Sequence, residues 1–366
     1  MAVPLFDTST PLAPIDAEIR AKVNAIIDSK RFIFGPEVEG FEREFADYIG
    51  TRHAVGVANG TDALLLALRA LDIKPGDEVI VPSFTFFASA EPIVLLGATP
   101  VWCDVDPSTF CMTVESVREV LTPKTKAVIA VHLFGNVAPI AEIEALGVPV
   151  IEDAAQSAGT RLADGRRPGA LTSTLATFSF FPSKNLGAFG DGGAVTTNDA
   201  TLAETIKTLR FHGSKDKRTF TMVGHNSRLD ALQAGILRVL LPHLDTWSDG
   251  RRAGAQAYAD AGLGELVSLP VPTAGADPAW HLYVVRSERA DELLGVLKDA
   301  GVGAAAYYRV PAHLQPAMRD YAPTVDLPGT EEAARTNLAI PMSPVLSDEQ
   351  AAEVVGAVRS ARLQHQ

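Results

Sequence analysis

Cysteine, positive charge and long apolar runs are all in short supply here. Only two cysteines, Cys103 and Cys111, occur in 366 residues, with neither a C-x-x-C pair nor histidines at zinc-finger spacing. That argues against a disulfide framework or structural zinc and predicts two buried free thiols. Lys and Arg total 32 against 44 Asp and Glu, a net charge of −12, the wrong sign for a surface that grips nucleic acid or anionic lipid. The longest nearly apolar stretch, residues 92–103, is too short to span a bilayer. The N-terminus lacks a basic segment followed by an apolar one, so no secretory leader is expected and a cytoplasmic protein is. No H-E-x-x-H occurs among the eight histidines, and no metal site is expected. The glycine fingerprint G-x-G-x-x-G is missing after the early strands, which disfavours a Rossmann oxidoreductase.

What is present is an ordinary globular composition, 47% hydrophobic and 21% charged, with enough apolar residues to bury a large core. The length suggests two domains. Short β-branched runs at residues 78–81, 100–105, 126–132 and 148–152 alternate with helix-compatible segments, predicting a parallel sheet with crossover helices. Residues 173–181 and 193–197 are two further strand candidates, divided by a glycine-rich stretch. Residues 61–71 read as a helix entered through Asn59-Gly60. Residues 228–259 read as helical, with Pro242 interrupting or kinking them, and the domain connection is placed there. The expected division is a large domain over 1–245, N-terminal arm included, and a small one over 246–366. The small domain reads as α+β: strand 281–286, helix 288–300, strand 303–307, a long loop over 309–328 and helix 347–363.

Three local features carry chemistry. Asn59-Gly60-Thr61-Asp62 opens a helix, where free amides and the helix dipole suit a phosphate; a plain cap makes the same pattern. In Val150-Ile-Glu-Asp153 an apolar strand ends in an acid, the usual place for a functional carboxylate in an open α/β sheet, although Asp153 could equally cap the next helix. Lys184 follows an aromatic strand and precedes the glycine-rich loop. A desolvated lysine there can act as an amine nucleophile, and a salt-bridged or exposed one is the alternative. Phosphate cradle, acid and lysine, in this order, match the needs of pyridoxal 5′-phosphate (PLP). The phosphate is held, the pyridine nitrogen stays protonated, and the lysine binds the aldehyde.

The segments ANGTDALLLAL, GDEVIVPSFTFFASA, VIEDAAQSAGT, SFFPSKNLGAFGDGGAV and GHNSRLDALQAGIL resemble the DegT/DnrJ/EryC1/StrS nucleotide-sugar aminotransferases of PLP fold type I, in order, from about Phe32 to near the C-terminus. The resemblance implies an α/β fold with a mainly parallel seven-stranded sheet, a small C-terminal α+β domain, and a homodimer with shared active sites. It implies Lys184 as the Schiff-base lysine and acid/base, and Asp153 as partner of the pyridine nitrogen. Gln156 falls at the phenolic oxygen and Phe86 on the pyridine ring, with a core aromatic as the alternative for Phe86. Gly60, Thr61 and Ser179 fall at the phosphate, and Asn226 reaches it from the neighbouring subunit. Arg228 becomes a substrate contact in trans or an interface salt bridge.

The implied reaction moves an amino group from L-glutamate to the keto group of a nucleotide-linked sugar. Lysine, rather than the histidine of related dehydratases, at position 184 points to amino transfer. Phe181 stands where many members have histidine, and the surrounding run is closer to members acting at C3. In Tyr307-Tyr-Arg-Val-Pro-Ala-His-Leu-Gln315, two residues depart from the family's H-Y-P-x-P-x-H-x-Q. Tyr308 and Arg309 are expected near the substrate, Arg309 binding a diphosphate or sugar carboxylate or remaining solvated; His212 and His313 are weaker substrate candidates, with an ordinary hydrogen-bonded histidine as the alternative for each. The alternatives are a UDP-linked 3-oxo-glucuronate derivative, amination at C4, and a PLP-binding regulatory protein without turnover.

Overall fold

The computed structural model describes residues 3–363. Strands β1 (His53–Val57), β2 (Glu78–Pro82), β3 (Thr99–Cys103), β4 (Thr125–Val131), β5 (Val150–Asp153), β6 (Arg161–Leu162), β7 (Leu175–Ser179) and β8 (Gly193–Thr197) come first, and β9 (Ala276–Asp277), β10 (Tyr283–Arg286) and β11 (Asn337–Ile340) follow. Seven form one sheet in the order β1-β8-β7-β5-β4-β2-β3. The pairs β2–β3, β2–β4, β4–β5 and β5–β7 are parallel, and β8 runs against both its neighbours, β7 and β1. The sheet is therefore mainly parallel, as expected from its nearly continuous apolar strands, which need cover on both faces.

Side-chain alternation sends neighbouring residues to opposite layers. Val55 and Val57 join the core under the helix Gly60–Ala70, whereas Ala54 joins the layer under the helices Pro36–Ile49 and Ala231–Leu240. In that second layer Phe45 meets Phe178 and Phe180 edge-on, at centroid distances of 4.9 and 5.3 Å, the favourable arrangement for aromatic quadrupoles. Strand β5 shows what the alternation does for function. Ile151 and Asp153 share one face, and Glu152 points into the other, where it is fully buried. There Glu152 accepts from the Gly169 amide at 2.8 Å and lies 2.8 Å from His132 Nε2. The Ala138 amide donates to His132 Nδ1 at 3.0 Å, so the ring proton sits on Nε2 and is donated to Glu152. Of two adjacent acids, one braces the sheet and the other is free for the site.

The long helical stretch is broken where Pro242 falls. Helix Ala231–Leu240 gives way to a 3-10 turn, Leu241–His243, and then to helix Leu244–Asp260. That last helix starts in the large core with Leu244 and reaches, at Tyr258, the separate apolar cluster of the C-terminal part. The C-terminal cluster is built on the antiparallel pair β10–β11 and the helices Ala290–Asp299 and Asp348–Leu363. Val3 belongs to it too, bridging Val302, whereas Leu5 and Phe6 pack against the core of the large sheet. The strand expected over 303–307 does not form. Gly303 bonds to Val3 and Ala305 to Ala339, so the segment is pinned by single bridges to two different partners instead of following one ladder. Cys103 and Cys111 are buried and free; burial pushes both thiols up, Cys111 to about 12. No described helix is long and apolar enough to cross a membrane.

Candidate active site

In an open α/β sheet, loops leaving the carboxyl ends of parallel strands converge on one edge. Here β2, β4, β5 and β7 end around a cavity of about 780 Å3, lined among others by Gly60, Phe86, Asp153, Gln156, Ser179 and Lys184. The size suits a cofactor or substrate-sized ligand.

The phosphate cradle is built by capping and close packing. Asn59 Oδ1 accepts the Asp62 amide at 2.8 Å and the Asn59 carbonyl takes Ala63, leaving the amides of Gly60 and Thr61 without an intrahelical partner. A Cβ on Gly60 would lie 2.7 Å from Ser179 Cβ, so the helix start rests directly on the end of β7. Gly193 lets it close in from β8, where a Cβ would collide with the Asn59 carbonyl. Gly60, Thr61 and Ser179 are thus brought together as expected, with amides and a hydroxyl suited to an anion. Gly60→Ala is expected to weaken binding of a phosphorylated cofactor at this cradle about 10- to 100-fold, the equivalent of a modest overpacking strain. An absorbance titration of the apoprotein checks this, and an unchanged Kd would contradict it.

Asp153, 5% exposed, is fixed by neighbours that sequence reading did not single out. Ser89 Oγ donates to its Oδ2 at 2.7 Å, and Thr85 Oγ1 lies 3.0 Å behind Ser89 Oγ. With Ser89's single proton given to Asp153, Thr85 is the donor in the second bond. The Ala155 amide reaches Oδ1 at 3.2 Å. Gln156 Oε1 accepts the Phe134 amide at 2.8 Å, which orients its amide nitrogen toward Tyr308 Oη at 3.5 Å. Burial pushes the Tyr308 phenol upward, keeping it a protonated donor at neutral pH.

Lys184 follows the turn after β7, its amide bonded to the Phe181 carbonyl at 2.8 Å. Enclosure of its amine lowers the pKa from 10.5 to about 8, against the opposing pull of Asp153. At pH 7 that raises the neutral fraction well above that of an ordinary lysine, and neutral is the form a nucleophilic amine requires. Among the described residues lining this cavity Lys184 is the one Lys or Arg, whereas Asp62, Asp153 and Asp191 are all acidic. Phe6, Tyr307 and His281 also line it. Tyr307 belongs to the run compared with the family's motif, whereas Phe6 and His281 lie in no motif recognised from sequence, their place in the wall coming from tertiary contact alone.

Phe86 is 55% exposed and lies 5.9 Å from the Tyr308 ring in the cavity wall, not in the core. Arg309, expected to bind an anion or to be solvated, is held by protein groups here. Its Nε pairs with Asp291 at 2.9 Å and its Nη1 donates to the carbonyls of Ala334 and Asn337 at 2.9 and 2.8 Å. The guanidinium is spent on bracing the C-terminal part. His313 is bonded to Ser83 and packs 6.3 Å from the Trp102 ring, outside the cavity lining. Asn226, His212 and Arg228 also lie outside the lining. Asn226 is exposed and bridges Phe211, and Arg228 lies 5.9 Å over the rings of Phe34 and Phe211.

Comparison with known proteins agrees with this geometry. The DegT/DnrJ/EryC1/StrS aminotransferase family matches residues 13–359. A dTDP-3-amino-3,4,6-trideoxy-alpha-D-glucose transaminase from Streptomyces venezuelae is 46% identical over 98% of this chain and 95% of its own. A UDP-N-acetyl-3-dehydro-alpha-D-glucosamine 3-aminotransferase from Acidithiobacillus ferrooxidans is 43% identical over 98% and 97%. The crystal structure of S. venezuelae DesV in complex with a ketimine intermediate matches with a TM-score of 0.94 at 45% identity, covering 98% of both chains. A cradle of close-packed glycines, a buried acid and an enclosed lysine on one sheet edge fit the cofactor of such enzymes. The chain belongs to the DegT/DnrJ/EryC1/StrS family and is a PLP-dependent aminotransferase.

Proposed function

We propose that the protein transfers the amino group of L-glutamate to the C3 keto group of a nucleotide-linked sugar, giving a 3-amino sugar and 2-oxoglutarate. The observation that carries this reading is the enclosed Lys184 amine beside Asp153, in a chain whose relatives above are named for amino groups at C3 on two different nucleotides. Bound PLP supplies an aldehyde that carries the amino group and a ring that accepts electrons released at the donor's α-carbon.

The chain's own residues do the rest. Lys184 would hold the cofactor's aldehyde carbon and, once displaced, move a proton between the donor's α-carbon and the carbon that bears the nitrogen. Asp153, oriented by Ser89, would keep the pyridine nitrogen protonated. The Gly60 and Thr61 amides and the Ser179 hydroxyl would bind the phosphate, Phe86 would cover the ring and Gln156 would reach its phenolic oxygen. Tyr308, beside Phe86 and Gln156, would meet the sugar, and Arg309, bonded to Asp291 and two carbonyls, would not.

The charge of the cavity supports a shared site. Cofactor phosphate and nucleotide diphosphate are both anionic, yet this chain offers one lysine and three carboxylates there. The missing positive charge and donors would come from a second copy, through Asn226 and Arg228, which lie outside their own chain's cavity. Mixing inactive Lys184→Ala with inactive Asn226→Ala is expected to restore up to about a quarter of the sites if subunits exchange at random, since one kind of hybrid site is intact. No recovery after demonstrated exchange would overturn the trans assignment.

For the substrate, we favour a dTDP-linked 3-oxo-6-deoxyhexose, with the UDP-linked 3-oxo-glucuronate as the rival. NMR of the product should place nitrogen on C3. Nitrogen on C4, or turnover with the UDP sugar alone, would reject it, and absence of turnover with every keto-sugar would favour a regulatory, non-catalytic protein.

A further inference from the structure

Residues 279–281 are held in a conformation that a bulky residue does not choose. Trp280 has φ +42, a left-handed backbone that persists only where its surroundings over-determine it. The surroundings are identifiable. Thr160 Oγ1 accepts the Ala279 amide at 2.9 Å, Asn185 Nδ2 donates to the Ala279 carbonyl at 3.2 Å, and Arg251 Nη1 donates to the Trp280 carbonyl at 3.2 Å. Gly135 packs so near that a Cβ would stand 2.8 Å from the Trp280 nitrogen. The outcome of this clamping is the next residue. His281, 4% exposed, lies in the wall of the cavity that holds Lys184.

No described protein group bonds His281 Nδ1, although the atom is buried, and the same holds for Asn185 Oδ1 and Arg251 Nε. The latter two residues line, with Lys184, a smaller cavity of about 50 Å3. That is room for a water or two and too little for an amino acid or a sugar. Buried polar atoms without a protein partner are ordinarily satisfied by ordered water; His281 shares the main cavity with Lys184, and Asn185 and Arg251 share the smaller one with it.

We propose that His281 is a positioning residue that holds, through Nδ1, a water exchanging protons with the Lys184 amine. The proposal rests on Lys184 being the amine that takes the donor's α-proton. The lysine ammonium passes that proton to the water, solvent replaces it, and no bond other than those to hydrogen changes. Burial, together with the charges of Lys184 and Arg251, keeps the imidazole neutral, so the ring offers Nδ1 either as an acceptor or as a donor according to its tautomer. Strain at Trp280 is then the means by which the fold brings a neutral imidazole to the lysine.

The test uses the PLP-loaded enzyme, with His281→Phe keeping the ring's bulk and His281→Gln keeping a hydrogen-bonding group. Borohydride reduction followed by peptide mass should find the cofactor on Lys184 in all three proteins. Positioned proton transfer is typically worth about 10²–10⁴-fold. One step removed, His281→Phe is expected to lower kcat, and deuterium incorporation at the α-carbon of recovered glutamate in D2O, by about 10- to 100-fold. The KM for glutamate should stay within about twofold, and His281→Gln should recover most of both losses. A crystal structure of the loaded wild type should show an ordered water bonded to Nδ1. Equal impairment of both variants, a loss confined to KM, unchanged deuterium incorporation, or Nδ1 bonded to a protein group would each overturn the proposal. If His281→Phe does not fold, the glutamine variant and the Nδ1 contact decide. Cofactor found elsewhere than Lys184 in the wild type would instead overturn the lysine assignment.

Discussion

Lys184→Ala is expected to abolish turnover, with kcat for glutamate-dependent amination falling by about 10⁴-fold or more, because the proposed covalent anchor and proton carrier would be lost together. The size of the effect follows from the enclosure of the amine. Burial brings its pKa to about 8, so about a tenth of the amine is neutral at pH 7, and no other Lys or Arg among the described residues lines the cavity to replace it. The fold should not suffer. Enclosing a charged amine disfavours the folded state, and alanine removes that cost, so the melting temperature should hold or rise slightly. Steady-state kinetics and a melting curve check both halves. Turnover within tenfold of wild type would place the reactive amine elsewhere.

Asp153→Asn carries the next largest effect, an expected fall in kcat of about 10²–10³-fold, comparable to removing one preorganised electrostatic group from an active site. The substitution is nearly isosteric, and an amide oxygen can still accept from Ser89 or from the Ala155 amide. The charge goes while most of the geometry stays. A neutral partner no longer favours a protonated pyridine nitrogen, so the ring loses its pull on electrons. Circular dichroism should be unchanged. Rates within a few-fold of wild type would remove Asp153 from the role proposed for it.

Much of this site is legible in sequence because its parts are local. The helix at Gly60 announces itself by an Asn cap and an Ala/Leu run, and the structure starts it one residue earlier than the pattern suggests, at Gly60. Strand β8 spans the same five residues as its apolar run, Gly193–Thr197. Asp153 is recognisable as an acid ending an apolar strand, and Lys184 by its place between aromatic strand and glycine-rich loop. What sequence could not supply depends on through-space contact. Strand β1, HAVGV, carries a glycine and only two valines and does not stand out, and the reversed direction of β8 is decided by pairing with β1 and β7. Ser89 and Thr85 sit in a motif that resembles the family's, but their bonds to Asp153 arise only when the loop after β2 folds over the end of β5. Arg309 looks like an anion-binding residue until Asp291 and two carbonyls, near it only in space, take up its donors.

The central claim is tested most directly by the visible absorption spectrum of the purified protein with PLP, recorded before and after L-glutamate and then with nucleotide keto-sugars one at a time. The band of lysine-bound cofactor should convert to the pyridoxamine form with glutamate and return with a nucleotide-linked 3-oxo-sugar. A protein that never develops the lysine-bound band, or one whose band glutamate leaves untouched, would contradict the account.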